Sequence, residues 1–78
     1  MKTAVVTGGS RGIGFEIAKK LIGENYKVAI CSRNKKELDG AVKKLGENCF
    51  GIKCDVSDSR DIDKFVKAVV KRFGKVDV

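Results

Sequence analysis

Thr7-Gly8-Gly9-Ser10-Arg11-Gly12-Ile13-Gly14 is the stretch whose residue types and spacing could do chemistry. A short apolar run, Ala4-Val5-Val6, leads into it, and an amphipathic pattern from Ile13 leads away. Strand, glycine-rich turn and helix, in that order, are the context in which glycines bind phosphate. Without a Cβ, the turn reaches backbone angles closed to other residues, and a pyrophosphate can approach the main chain. The following helix aims its unpaired N–H groups and the positive end of its dipole at the anion. The ligand this predicts is a dinucleotide; the plain alternative is a tight strand-to-helix turn with no ligand.

A second position bears on which dinucleotide. About 20 residues past the glycines, such folds place an acid that bonds the adenosine ribose 2′-hydroxyl and favours NAD. Ser32-Arg33 stands there, with no carboxylate. An arginine can take a 2′-phosphate in a bidentate, charge-assisted pair. Read plainly, Arg33 is an exposed loop arginine.

These residues need elements to hold them. Residues 2–7 read as a strand buried on both faces. A helix over 12–23 places Ile13, Ile17, Leu21 and Ile22 on one stripe, and Gly23 and Asn25 end it. Tyr26 to Cys31 is a second strand, and Ser32 or Asn34 caps a helix over 35–45 with Leu38, Ala41, Val42 and Leu45 inward and Gly46 as its stop. Cys49 to Cys54 is a third strand, irregular at Gly51. Ser57 or Asp58 caps a helix over 58–73 with inner residues Ile62, Phe65, Val66, Val69 and Phe73, closed by Gly74. Val76-Asp77-Val78 begins a fourth strand. Strand and helix alternate without proline, linker or repeat, which predicts an α/β fold on a parallel sheet with right-handed crossovers. The expected architecture is the N-terminal half of a three-layer Rossmann-type fold, strand order 3-2-1 with the start of strand 4, and one domain over 1–78. The first two helices should lie on one face and the third on the other.

The glycine spacing narrows the comparison. GxGxxG from Gly8 would need glycine at position 10, and TGxxGxxG would need it at position 11; TGxxxGxG fits, through Thr7, Gly8, Gly12 and Gly14. On these residues the chain resembles the short-chain dehydrogenase/reductase family, in the subfamily that includes 3-oxoacyl-acyl-carrier-protein reductases. The resemblance runs through all 78 residues and matches about the N-terminal third of a typical member. It implies a nicotinamide cofactor and an oxidoreductase. Arg11 stands where NADP-preferring members often carry a basic residue, which with Arg33 makes NADP(H) the expected cofactor over NAD(H). Asp55 and Val56 stand where the family borders the adenine ring: a carboxylate can accept from the exocyclic amine while valine packs on the base, though Asp55 also suits a turn. Ser10 either donates to phosphate or caps the helix. Ile13 offers its backbone N–H to the cofactor while its side chain suits the core.

The resemblance also says what is missing. Family members reduce a carbonyl with a serine and a Tyr-x-x-x-Lys pair, after an Asn-Asn-Ala-Gly segment. The one tyrosine here is Tyr26, with Ile30 four residues on, and there is no histidine to replace it in acid–base work. The expectation is a truncated or incompletely represented protein whose 78 residues bind the adenosine half weakly and do not transfer hydride. With one helix on one sheet face, uncovered apolar surface should favour self-association and a marginal monomer.

Composition excludes other classes. Hydrophobic residues at 42% and charged residues at 35% describe a globular chain, and no apolar run approaches the length of a membrane span. Met1-Lys2 runs straight into a strand with no signal peptide, so the expected compartment is the cytoplasm. Cys31, Cys49 and Cys54 form neither a disulfide framework nor a zinc spacing, and read as small buried hydrophobes. The net charge of +7 falls largely on helix faces at Lys19, Lys20, Lys43, Lys44, Lys64, Lys67 and Lys71, and the aromatics do not interleave with it, so no nucleic-acid partner is expected. Three functions remain open: the NADP(H)-binding segment of a short-chain oxidoreductase, a stand-alone non-catalytic nucleotide-binding or oligomerisation module, and a basic α/β piece that binds nucleic acid.

Overall fold

The computed structural model describes residues 2–8, 10 and 12–77. Its elements alternate along the chain: β1 (Lys2–Thr7), α1 (Gly12–Gly23), β2 (Tyr26–Ser32), α2 (Lys35–Leu45), β3 (Cys49–Lys53) and α3 (Ser59–Phe73). The strands form one parallel sheet in the order β1-β2-β3. Lys2 is opposite Tyr26, Thr7 opposite Cys31, Val28 opposite Cys49 and Ser32 opposite Lys53.

Because β2 is central, its residues Val28, Ala29, Ile30 and Cys31 are all fully buried. Strand alternation sends them to two cores. Val28 and Ile30 join Ala4, Cys49, Ala18, Leu38 and Ala41 beneath α1 and α2. Ala29 and Cys31 join Cys54, Phe65 and Val69 beneath α3. The two-and-one distribution of helices is as expected. Gly51 belongs to the first face for a steric reason: a Cβ there would stand 2.5 Å from Val42 Cγ2 and 3.1 Å from Leu38 Cδ1.

The helix ends are built locally. Asn34 Oδ1 accepts the Glu37 N–H at 3.1 Å to start α2, and Asp58 Oδ1 accepts the Arg60 N–H at 2.9 Å to start α3. Of each pair of expected caps the structure uses one. Ser32 instead lies at the end of β2, where its Oγ accepts the Asn34 N–H, and Ser57 bonds Asp55. Asn25 takes φ 69 just past α1, and Gly46 and Gly74 take φ 91 and 85 past α2 and α3.

Three expectations need correction. On α1, Ile13 is 81% and Ile17 48% exposed, while Ala18 reaches the core. On α3, Ile62 and Val66 are exposed and only Phe65 and Val69 are buried. Helical periodicity locates an apolar stripe, but which edge of it meets the sheet depends on how the helix is rolled. The fourth strand is not formed among the described residues, and Val78 lies outside them. Residues 75–77 do run along the free edge of β1, as the strand order required: the Asp77 N–H donates to Thr3 O at 2.9 Å, the Thr3 N–H donates to Asp77 Oδ2 at 2.8 Å, and the Thr3 hydroxyl donates to Lys75 O. A side-chain carboxylate takes the place of a ladder.

Candidate nucleotide-binding site

The glycine turn leaves β1 with one more sheet bond, from the Gly8 N–H to Cys31 O at 3.0 Å. The chain then turns through φ 67 at Gly8 and φ 62 at Gly12. An ordinary residue pays about 1–2 kcal/mol for that left-handed conformation. A Cβ built on either glycine would meet nothing within 4 Å. Conformation rather than crowding therefore demands glycine here, and the bare backbone faces open space. Gly14 lies in the first turn of α1, half-buried, and that turn holds no acidic residue. The Ile13 side chain points outward rather than into the core.

A cleft of about 370 Å³ opens where the strands end. Gly8 and Ser10 enter it from the β1 turn, Ser32 and Arg33 from β2, and Val56 from beyond β3. Ligands of open α/β sheets bind at this carboxyl end. A larger hollow of about 850 Å³ runs between α1 and α2, carries Gly12 and Ile13 on its wall, and joins the cleft through Ser10 and Glu37. It is mostly apolar, whereas polar groups converge on the smaller cleft, which makes the latter the candidate for a charged ligand. Arg11 lies outside the described residues.

Asp55 is set by the turn that follows β3. Its Oδ1 accepts both the N–H and the hydroxyl of Ser57, at 2.9 and 2.6 Å, and its own N–H donates to Asp61 Oδ2 at 3.1 Å. The bonds from Ser57, with a smaller contribution from the Arg33 charge, hold its carboxyl below the ordinary value of 3.8. One oxygen is thus engaged by the turn, and Asp55 serves local structure whatever else it binds. Val56, 52% exposed, offers an apolar shelf beside it.

Four further residues line the cleft that the sequence reading placed elsewhere: Cys31, Asn34, Glu37 and Cys54. Asn34-x-x-Glu37 has capping-box spacing, and a residue three past a cap necessarily sits in the first turn of a helix starting at the strand end. Spacing alone could have placed Glu37. Cys31 and Cys54 are buried as expected. Burial, reinforced by the adjoining Cys31 thiol, pushes Cys54 up to about 11, and burial pushes Cys49 to about 11, so both stay protonated near neutrality.

No helix among the described residues is long and apolar enough to cross a membrane. The short chain dehydrogenase family matches residues 2–78. Tropinone reductase-like 3 of Erythroxylum coca is 42% identical over 80 residues, covering 99% of this chain and 31% of that protein. A 3-ketoacyl-(acyl-carrier-protein) reductase from Brucella melitensis, solved in complex with NADH, superposes with a TM-score of 0.94 at 33% identity, over 97% of this chain and 31% of its own. An actinorhodin polyketide ketoreductase with NADPH also gives 0.94, at 40% identity, over 97% of this chain and 30% of its own. The chain thus spans about a third of the length of the relatives it matches. A parallel sheet with the TGxxxGxG turn at its carboxyl end, matched over nearly every residue, places this chain in the short-chain dehydrogenase family.

Proposed function

We propose that this chain holds the adenosine and pyrophosphate half of a nicotinamide dinucleotide, with NADP(H) preferred over NAD(H), as the nucleotide-binding part of a short-chain oxidoreductase. The observation that carries the reading is the pair of bare, positive-φ glycines, Gly8 and Gly12, on a turn that leads into the cleft of Ser32 and Arg33. Gly8, Gly12 and Gly14, the Ile13 N–H and the Ser10 hydroxyl receive the pyrophosphate. Ser32 accepts from the Asn34 N–H through its oxygen, so its own hydroxyl proton is left to donate to a 2′-phosphate beside the Arg33 guanidinium. Arg11 adds a second cation. Asp55 keeps Oδ2 for the adenine amine, and Val56 packs on the ring. Glu37 lines the same wall.

A bound nicotinamide dinucleotide would supply hydride chemistry towards a carbonyl or alcohol substrate in the longer protein. The residues of this chain bind and orient the other end of the cofactor. Tyr26 starts β2 and Ser32 ends it, roughly 20 Å apart at strand spacing, so the tyrosine stands far from the cleft. The 78 residues therefore bind without supplying the Tyr-x-x-x-Lys proton donor.

Calorimetry with 2′-phospho-AMP, AMP and NADP⁺ tests the reading. We expect 2′-phospho-AMP to bind about tenfold or more tightly than AMP, the scale of one charge-assisted pair. Equal affinities overturn the NADP preference, and no binding of any of the three overturns the nucleotide site. The position of Tyr26 also suits a second reading, a non-catalytic nucleotide-binding module. An open reading frame that runs on into Asn-Asn-Ala-Gly and Tyr-x-x-x-Lys decides for the first.

A further inference from the structure

Asp61 does something other than what its place on α3 predicts. The cap of that helix is Asp58, so Asp61 is its third helical residue, the position from which an acid reaches back to the N–H of its own cap. Here the Asp58 N–H is already taken, by Asp55 O at 3.0 Å. Asp61 Oδ2 reaches farther back and accepts the Asp55 N–H at 3.1 Å. That N–H has left the sheet: the last bond between the two strands is the one before it, from the Cys54 N–H to Ser32 O at 3.0 Å. From Asp55 the chain turns through Val56 and Ser57 to Asp58. Val56 lines the cleft and Asp61 does not.

We infer that Asp61 is a positioning residue for the adenine end of the nucleotide site. Its carboxylate fastens the entry of the turn to α3, and so fixes where the Asp55 carboxylate and the Val56 side chain meet the base. This rests on the assignment of Asp55 and Val56 to adenine made above. A negative charge in the first turn also favours the helix dipole, whatever it bonds. The two roles differ in what they require. The dipole needs the charge; positioning needs only an oxygen that accepts. Asparagine keeps the oxygen and drops the charge.

Calorimetry with NADP⁺ and its hypoxanthine analogue, in which a carbonyl replaces the exocyclic amine, tests the inference. The unmodified chain should bind NADP⁺ about tenfold more tightly, the scale of a hydrogen bond to a carboxylate. Asp61→Ala should reduce that ratio to about twofold or less, because the turn no longer holds its acceptor in place. The ratio of 2′-phospho-AMP to AMP, set at Ser32 and Arg33, should stay as it was. Asp61→Asn should restore the base ratio. Without nucleotide, the Asp55 amide should exchange hydrogen about tenfold faster in Asp61→Ala and at the original rate in Asp61→Asn. Far-UV circular dichroism shows that each variant is folded; if Asp61→Ala unfolds, Asp61→Ser, too short to reach Asp55, takes its place. A base ratio unchanged in Asp61→Ala overturns the proposal, and so does Asp61→Asn behaving as alanine, which assigns the residue to the dipole. Both ratios collapsing together also overturn it, as a disturbed fold. If the unmodified chain binds NADP⁺ and the analogue equally, the base assignment falls and takes the proposal with it, and if it binds neither, the nucleotide reading itself falls.

Discussion

Three helices leave the carboxyl ends of three parallel strands, and they begin in two different ways. α2 and α3 are closed by their own side chains: Asn34 and Asp58 each accept a backbone N–H, and Glu37 and Asp61 add negative charge to the first turn. α1 starts on glycine at φ 62, has no acid in its first turn, and presents Ile13 to solvent. The first two starts satisfy the helix dipole internally. α1 shows no acidic first turn among the described residues. On the proposed reading, structural and ligand-binding helix starts within one small sheet differ in whether the chain supplies its own negative charge.

Putting a side chain where the backbone is bare should break this contrast most severely. Gly12→Val forces a β-branched residue into the left-handed region, at about 1–3 kcal/mol, and sets methyl groups where the pyrophosphate approaches. NADP⁺ affinity should fall by about 100-fold or more by calorimetry; unchanged affinity would mean that the turn binds nothing. Ile13→Asp is subtler, because it gives α1 the acidic first turn of its neighbours. NADP⁺ binding should weaken about tenfold while thermal stability holds or rises slightly, since the same charge that repels phosphate favours the dipole. Affinity and stability falling together would point to a disturbed fold. Asn34→Ala and Asp58→Ala should each cost about 1 kcal/mol in urea titration, and Asp58→Ala should leave nucleotide affinity untouched.

The smallest effect concerns a carboxylate that accepts a backbone N–H away from any helix. The Thr3 N–H holds the Asp77 carboxyl below its ordinary value of 3.8. A depressed folded-state value contributes stability that is complete above the unfolded-state value and disappears as pH falls through the folded one. Acid should therefore loosen residues 75–77 from β1 below about pH 4. Hydrogen exchange at the Thr3 amide would report the loosening. Asp77→Asn should flatten this pH dependence, and a full acid response in that variant would move the cause elsewhere.

The order and bounds of the elements were legible because apolar runs, helical spacing and stopping glycines agree along the chain. Residues 12–23 and 35–45 are helical as read, with Gly46 and Gly74 at positive φ just past α2 and α3. Depth was less legible. Ala18, too small to dominate a stripe, is fully buried, while the larger Ile13 and Ile17 beside it are not. Of the site, the structure gathers Gly8, Ser10, Ser32, Arg33 and Val56 at one cleft. Glu37 was not legible because the acid of such folds is expected at the end of β2, whereas here the first turn of α2 faces the same space.

Gly51 stands on β3, the strand farthest from the glycine turn, yet its missing methyl bears on the cleft. Val42 and Leu38 of α2 occupy the volume a Cβ would need, and the same helix carries Glu37 at the cleft wall. One hydrogen atom sets how closely α2 lies on the sheet, and so where the wall stands. Gly51→Ala would act as a wedge under the middle of α2, and its mark on nucleotide affinity would be a change in the width of a cleft the new methyl never touches.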